Sequence, residues 1–119
     1  MADETPTAAL DIQSLSRSCN EVLILSTLSS GPHHGYQLAL EIEEKSSGAF
    51  RFKHGTLYPI LHKLESDGLI RGDWLKGEGK RKRKRYQLTE AGRRRLSDRI
   101  VEWGRFVESF FNVVVEAER

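Results

Sequence analysis

The C-terminal part of the chain carries the pattern that most restricts its fold. Six apolar residues recur there at spacings of four, three, four, three and four, namely Leu96, Ile100, Trp103, Val107, Phe110 and Val114. This heptad pattern is typical of a helix that packs against another helix. A small domain with three other short helices cannot cover several large side chains along about six further turns by itself. We therefore expect a second copy of the chain to pack here as a homodimer, and packing against the chain's own first helix is the alternative.

Upstream of this helix, short helical patterns alternate with stop signals. Apolar spacings of three and four predict three helices, carried by Val22, Leu25 and Leu28, by Leu38 and Ile42, and by Leu57, Leu61 and Leu64. Residues 29–32 (SSGP) and Gly68 end the first and third of them. Two runs with strand character follow, LIRGDWL and RYQLT, and the KGEGK segment between them has the composition of a hairpin loop. Thr89 is the predicted N-cap of the last helix.

This order of elements predicts the fold class. Three helices, a hairpin and a long helix make a mostly α fold with a small β-hairpin, which is a winged helix-turn-helix followed by a long C-terminal dimerisation helix. The expected units are a flexible segment at residues 1–12, a winged helix-turn-helix DNA-binding domain at residues 13–88, and the dimerisation helix at residues 89–119. In such folds the third helix enters the major groove of DNA, and the hairpin, called the wing, lies on the flanking backbone or minor groove.

The charges are concentrated in one segment. The net charge is only +2, yet residues 71–95 hold 11 of the 19 Lys and Arg and only three of the 17 Asp and Glu. Six consecutive cations at residues 80–85 lead from the hairpin loop into its second strand. Taken alone, such a run is equally typical of a solvated charge block or a sorting signal. Its place in a hairpin of an otherwise acidic chain favours a wing that binds phosphates.

Several other functions lack their signatures. A single cysteine, Cys19, excludes an internal disulfide framework and a cysteine-rich zinc site, and a small core residue or a half-buried thiol is expected there. His33, His34, His54 and His62 lack the Asp, Glu or Cys spacing that would complete a metal site, so solvated or capping histidines are expected and no metal or other cofactor. No phosphate loop, nucleophile elbow or carboxylate pair indicates an enzyme. The acidic start without an apolar run, and the absence of a membrane-length apolar stretch, predict a cytoplasmic protein.

Four segments resemble one family of regulators. These are HGYQLALEIEE (residues 34–44), GTLYPILHKLESDGLI (residues 55–70), KRYQLTEAG (residues 84–92) and the C-terminal helix with Trp103. Together they resemble the PadR family of bacterial and archaeal transcriptional regulators in its short-tailed form, and the GTLYP block is the most specific of them. The resemblance implies a homodimeric winged-helix repressor that binds a palindromic double-stranded DNA operator and is released by a small effector or by stress.

The resemblance also implies which residues approach DNA. They are Tyr36, Gln37, Lys53, His54, Gly55, Thr56 and Tyr58, with the wing residues Lys80, Arg81, Lys82 and Arg83. As alternatives, Tyr36 and Tyr58 are core aromatics with a wet hydroxyl, and Thr56 only caps its helix. Two features depart from the family pattern: Lys53 and His54 stand where Ser or Asn is common, and the wing is unusually basic.

Trp103 and Phe106 are candidates for the lining of a pocket between subunits that would bind a small aromatic effector. Some proteins that this chain resembles bind planar aromatic compounds there, and the flat indole face suits such ligands. Core packing of Trp103 is the favoured alternative. For the whole chain, the competing function is a sequence-independent nucleic-acid-binding or interaction protein that uses the basic wing.

Overall fold

The computed structural model describes residues 9–76 and 82–117 of the 119-residue chain. Within these residues four helices surround one small sheet. The helices are α1 (Ile12–Leu28), α2 (Gly35–Lys45), α3 (His54–Ser66) and α4 (Glu90–Ala117), and the strands are β1 (His33–His34), β2 (Ile70–Lys76) and β3 (Lys82–Leu88). The predicted winged helix-turn-helix with a long C-terminal helix is confirmed. None of the described helices is long and apolar enough to cross a bilayer.

The sheet has one strand more than the predicted hairpin. β2 and β3 pair antiparallel as expected, with Trp74 opposite Lys84 and Ile70 opposite Leu88. On the other side of β3 lies β1, whose His33 pairs with Tyr86. The sequence prediction missed β1 because two residues are too short to show an alternating pattern. The added strand joins the start of α2 directly to the wing.

The core lies between α1, α2, α3 and the root of the wing. Its most deeply buried side chains include Ile24, Leu25, Leu38, Leu57, Leu61, Ile70 and Tyr86. The leucine stripe predicted on α3 is therefore the buried stripe, and Tyr86 is the predicted core residue at the wing root. Each such side chain contributes about 1.5–3 kcal/mol through its burial.

Thr89 fixes the junction between the wing and α4. Its hydroxyl oxygen accepts a hydrogen bond from the N–H of Gly92 at 3.0 Å, which is the predicted N-cap, and its hydroxyl donates to the carbonyl of Gly68 at 2.7 Å. Gly68 ends the turn after α3 with φ +75°, a backbone conformation that favours glycine. One side chain therefore ties the end of α3 to the start of α4.

Only the first turns of α4 belong to this core. Leu96 is buried within its own chain, so the first position of the predicted dimer stripe packs inside the subunit instead. Trp103 is half-buried, and its indole N–H donates to the hydroxyl of Ser18 on α1 at 3.2 Å. Beyond it, α4 extends from the body and gives the molecule a long axis of 64 Å.

Candidate nucleic-acid interface

The first turn of α3 is an exposed polar surface. Lys53 occupies the N-cap position and its carbonyl accepts hydrogen bonds from the N–H groups of Thr56 and Leu57, both at 2.9 Å. His54, Gly55 and Thr56 follow it and are all exposed. Because Lys53 occupies the cap position, the alternative that Thr56 only caps α3 is wrong. No acidic residue lies in this turn, so the positive end of the helix dipole is uncompensated there and attracts phosphate.

Tyr58 connects this turn to α2. Its half-buried ring stacks on that of His54, with centroids 6.0 Å apart and planes inclined by 15°. The ring also lies close to Gly35, where an added Cβ would come within 3.0 Å of Cε1 of Tyr58. The ring therefore lies between the start of α2 and α3. The packing alternative holds for Tyr58 in part, since its side chain is half-buried.

The start of α2 contributes Tyr36 and Gln37, both exposed. Tyr36 is 42% exposed, which contradicts the alternative of a core aromatic. The guanidinium carbon of Arg83, in β3, lies 5.8 Å from the centre of its ring. Oε1 of Gln37 accepts the backbone N–H of His34 at 2.9 Å and so helps to start the helix, while the amide nitrogen supplies two further donors. The wing and α2 thus meet at one place.

The described residues of the cationic run (residues 80–85) differ in their surroundings. Lys80 and Arg81 lie outside the described residues, and Lys82 is described as the first residue of β3. Arg83 is exposed and available to an anionic partner. Lys84 instead turns towards α3, where its ammonium lies 2.7 Å from Oε1 of Glu65. Lys84 therefore anchors the wing rather than projecting from it.

Around Lys84 the wing is fixed by several contacts. The ammonium lies 5.5 Å from the ring centre of Trp74 and 5.4 Å from that of Tyr86, within the range of cation–π attraction. The second oxygen of Glu65 accepts the N–H of Gly72 at 3.2 Å. A Cβ at position 72 would overlap the end of the Lys84 side chain, so a larger residue there would displace the ammonium from its present contacts. The hydrogen bond from Lys84 lowers the pKa of Glu65, and the same bond raises the pKa of Lys84.

A groove of about 420 Å³ separates α3 from the wing. Tyr36, Tyr58 and Arg83 line it together with two residues that the sequence analysis did not assign to the interface, His62 and Trp74. Trp74 is 64% exposed. Two signals pointed to these residues: His62 lies four residues after Tyr58 on the same helix, and Trp74 alternates with Gly72 on the strand face towards α3.

The remaining predicted residues have other surroundings. His33 is not solvated, because its ring nitrogens contact the carbonyl of Gly31 and the carboxylate of Glu41. Among the described residues no three His, Cys, Asp or Glu side chains are grouped to hold a metal ion. Cys19 is half-buried as expected, and burial raises the pKa of its thiol. The rings of Trp103 and Phe106 meet edge to face, with centroids 5.6 Å apart.

Comparison with known proteins places the chain among regulators of transcription. The model of the transcriptional regulator PadR-like family matches residues 24–98. Transcriptional regulator Rv3488 of Mycobacterium tuberculosis is 37% identical over 82 residues, which cover 69% of this chain and 73% of that protein. The crystal structure of a PadR family transcriptional regulator from Eggerthella lenta is 29% identical and superposes with a TM-score of 0.73, covering 87% of this chain and 88% of that one.

A third similarity includes DNA. The crystal structure of Bacillus subtilis PadR in complex with operator DNA is 29% identical to this chain and has a TM-score of 0.65. The match covers 69% of this chain and 46% of that chain. In the sequence comparison the same organism's negative transcriptional regulator PadR is 31% identical over 78 residues, covering 66% of this chain and 43% of that protein.

Proposed function

Because the chain belongs to the PadR-like family of transcriptional regulators, we propose that it is a repressor that binds a palindromic operator as a homodimer. Regulators of this family bind DNA and are not enzymes. The observation that carries the proposal is the exposed first turn of α3, which adjoins the contact between Tyr36 and Arg83. These elements border one another, since Tyr36 lines one groove with His54 and another with Tyr58 and Arg83.

The arrangement suits a division between base reading and phosphate binding. A helix that begins with exposed polar groups can enter the major groove, where Thr56 and His54 meet base edges. Arg83, which is exposed on β3, would bind the flanking phosphates, which fix the register without reading sequence. The complex of Bacillus subtilis PadR with operator DNA supports DNA as the partner by similarity.

The exposed apolar surface of α4 supports the homodimer. Ile100, Val107 and Phe110 of the predicted stripe are each about half exposed, with values of 52%, 47% and 50%. Val101, Phe111 and Val113 widen this surface beyond the stripe. So many large apolar side chains on one projecting helix mark an interaction site. A two-fold dimer would present two α3 helices to half-sites one helical turn apart, roughly 34–36 Å.

Repression by occupancy is the simplest action for such a dimer. A protein of this size bound across two major grooves blocks access to the DNA beneath it. The Bacillus subtilis relative is named a negative transcriptional regulator, and this similarity favours the same sign of regulation here.

Fluorescence anisotropy with two labelled duplexes tests the proposal. One duplex carries the DNA upstream of the protein's own gene, and the other carries the same bases scrambled, each measured over a salt series. Binding at least about 10³-fold tighter to one site is expected for a sequence-reading regulator. Equal affinities with the same steep salt dependence, for upstream DNA and for fragments selected from the genome, would instead indicate the sequence-independent alternative.

A further inference from the structure

Trp74 is a large apolar side chain of the wing that the core of its own chain leaves uncovered. In the ladder of β2 and β3 it stands opposite Lys84, and Gly72 stands opposite Tyr86, so these four residues share one face of the wing. That face is turned towards α3, since Gly72 and Lys84 both contact Glu65 there. Tyr86 is buried in the core, whereas Trp74 is 64% exposed. The Trp74 ring therefore lies beside α3 and beyond the edge of the core.

Contacts within the wing hold this ring in place. The ammonium of Lys84 lies 5.5 Å from the centre of the Trp74 ring, within the range of cation–π attraction. The same ammonium lies 2.7 Å from Oε1 of Glu65 on α3, so the lysine is fixed from two sides. A side chain that is already held has less conformational freedom to lose when a partner covers it. The exposed ring is thus preorganised for a contact outside the chain.

The groove beside Trp74 combines aromatic rings with positive charge. Tyr36, Tyr58, His62 and Arg83 line it with Trp74, and its described lining includes neither Asp nor Glu. A single exposed apolar side chain is common on protein surfaces, so the exposure of Trp74 alone indicates no partner. Its position in a groove without negative charge does, because a suitable partner has an anionic group next to an apolar surface. The backbone of DNA has this chemistry, since each phosphate is joined to a deoxyribose.

From this geometry we propose that Trp74 packs against a deoxyribose of one DNA strand while Arg83 binds an adjacent phosphate. The inference rests on the proposed function only in taking duplex DNA as the partner. It requires neither repression, nor a homodimer, nor a particular operator sequence. Contacts to sugar and phosphate carry no base identity and fix how a protein lies on the duplex. Trp74 therefore contributes affinity and register, and base recognition is left to α3.

An apolar contact with the sugar differs from an ion pair in its dependence on salt. Each phosphate that a cation neutralises releases counterions, so affinity falls as the salt concentration rises. Covering an uncharged ring releases water and no counterions. Trp74→Ala should therefore weaken binding to the upstream and the scrambled duplex alike, by about tenfold for the partial burial of one large side chain. The slope of log affinity against log salt concentration should stay unchanged, whereas Arg83→Gln should lower it.

Fluorine nuclear magnetic resonance of the full chain labelled with fluorotryptophan tests the contact directly. The chain has two tryptophans, Trp74 and Trp103, and the conservative variant Trp74→Phe identifies the Trp74 signal by its loss. The difference in chemical shift between light and heavy water measures how far each fluorine is exposed to solvent. When either duplex saturates the protein at low salt, this difference should decrease for Trp74. It should stay the same for Trp103, which does not line the groove.

Phe50→Ala is the matched control for the affinity measurement, because Phe50 is 41% exposed and does not line this groove. This variant should bind both duplexes as the unmodified chain does. The proposal is overturned if bound DNA leaves the solvent exposure of Trp74 unchanged, or if Trp74→Ala and Phe50→Ala weaken binding equally. A lower salt slope for Trp74→Ala would also overturn it.

The two proposals can fail separately. Equal affinities for the upstream and scrambled duplexes, with Trp74 covered in both complexes, would count against the proposed function and support the sugar contact. Specific binding to the upstream duplex, with Trp74 still exposed in the complex, would support the proposed function and overturn the sugar contact. The fluorine measurement is made on the unmodified sequence, so it decides between these outcomes even if Trp74→Ala does not fold.

Discussion

Two glycines of α4, Gly92 and Gly104, differ in how much space the surrounding structure leaves for a side chain. A Cβ on Gly92 would collide with the carbonyl oxygen of Leu69 and with the Leu88 side chain, whereas a Cβ on Gly104 meets no atom within 4 Å. Gly92 therefore permits the close approach of α4 to the turn after α3. Gly104 only lowers the stability of the helix.

Alanine substitutions should separate these two roles. Gly92→Ala should destabilise the fold by about 1–3 kcal/mol, because the backbone of Leu69 must move. Gly104→Ala should stabilise it by up to about 1 kcal/mol through helix propensity. Urea unfolding at one fixed protein concentration measures both. Equal effects of the two substitutions would contradict the close packing at Gly92.

Substitutions of Thr56 and Arg83 should affect DNA binding in different ways. Thr56→Ala removes a group that we propose to contact base edges, so it should cost about 1–3 kcal/mol on the operator while affinity for unrelated DNA stays the same. Arg83→Gln removes the proposed phosphate contact, so it should weaken binding to every duplex and lower the salt slope by about 1. Anisotropy with operator and scrambled duplexes distinguishes these patterns. If Thr56→Ala weakens both duplexes equally, α3 does not read sequence.

The surroundings of some side chains could be predicted from the sequence, and those of others could not. The burial of Leu57, Leu61 and Tyr86 followed from their spacing, since a periodic apolar stripe must face the core. The contact of Lys84 with Glu65 could not be predicted in this way. Alternation along a strand indicates which face a side chain lies on, but not which residue of another element lies opposite. For Leu96 the heptad pattern was correct as a packing surface but could not tell which subunit supplies the partner.

At the scale of elements, the contact between Glu65 and Lys84 joins the wing to α3. The two side chains are only 29% and 20% exposed, so their ion pair is less screened than one at the surface. Glu65 also accepts the N–H of Gly72, which places β2 against α3. One carboxylate therefore contacts both strands of the wing and helps to hold them against α3.

Glu65→Gln should lower the free energy of unfolding by an amount that depends on pH. At neutral pH we expect a loss of about 1–2 kcal/mol in unfolding free energy, since a charged hydrogen bond is lost. The pKa of Glu65 is lowered below its ordinary value of 4.5, so its stabilising contribution is present above that pH and is lost as the pH falls through the folded value. The difference between the two proteins should therefore narrow in acid, as measured by urea unfolding from pH 7 to pH 3.5.

Glu43→Gln provides the control for this measurement. Glu43 pairs with Arg51 at 3.9 Å through side chains that are 47% and 74% exposed, so its removal should change stability by less than about 1 kcal/mol at any pH. A loss as large as that of Glu65→Gln would mean that surface charge in general, rather than the wing joint, causes the effect.

The elements themselves were predictable to the extent that each had a local signal. α3 was expected from the spacing of Leu57, Leu61 and Leu64, and the structure contains it as His54–Ser66. Thr89 was expected to cap α4 and does so. β1 exists only because β3 lies beside it, and such a contact between distant segments leaves no local pattern to read.

At the scale of the whole molecule, the length of α4 is the main argument for the proposed homodimer. Its 28 residues span about 42 Å, and the core of its own chain covers only the first turns. In a homodimer the exposed rings and branched side chains of two such helices bury one another. The chain mass of 13.6 kDa should therefore be doubled in solution.

Phe110→Glu tests this assembly. Phe110 is half exposed and lies outside the core, so the variant should keep its helical circular dichroism while sedimentation equilibrium gives the mass of a single chain. Burying an unpaired carboxylate in a dimer interface is costly, so this single substitution should be enough to dissociate the dimer. Leu40→Glu is the matched control, because Leu40 is 60% exposed on α2 and should leave the mass doubled.

Phe110→Glu should also weaken binding to the operator. A dimer holds its second α3 at high effective concentration once the first is bound, which raises affinity for two half-sites by about 10²–10⁴ over one. Phe110→Glu should lose that factor on the full operator and bind an isolated half-site as the unmodified chain does. Inserting five base pairs between the half-sites rotates one half-site to the far face of the duplex and should weaken the unmodified dimer to the level of the variant. If the insertion leaves affinity unchanged, the two reading helices are not held at a fixed spacing, and the seam on α4 does not set the operator.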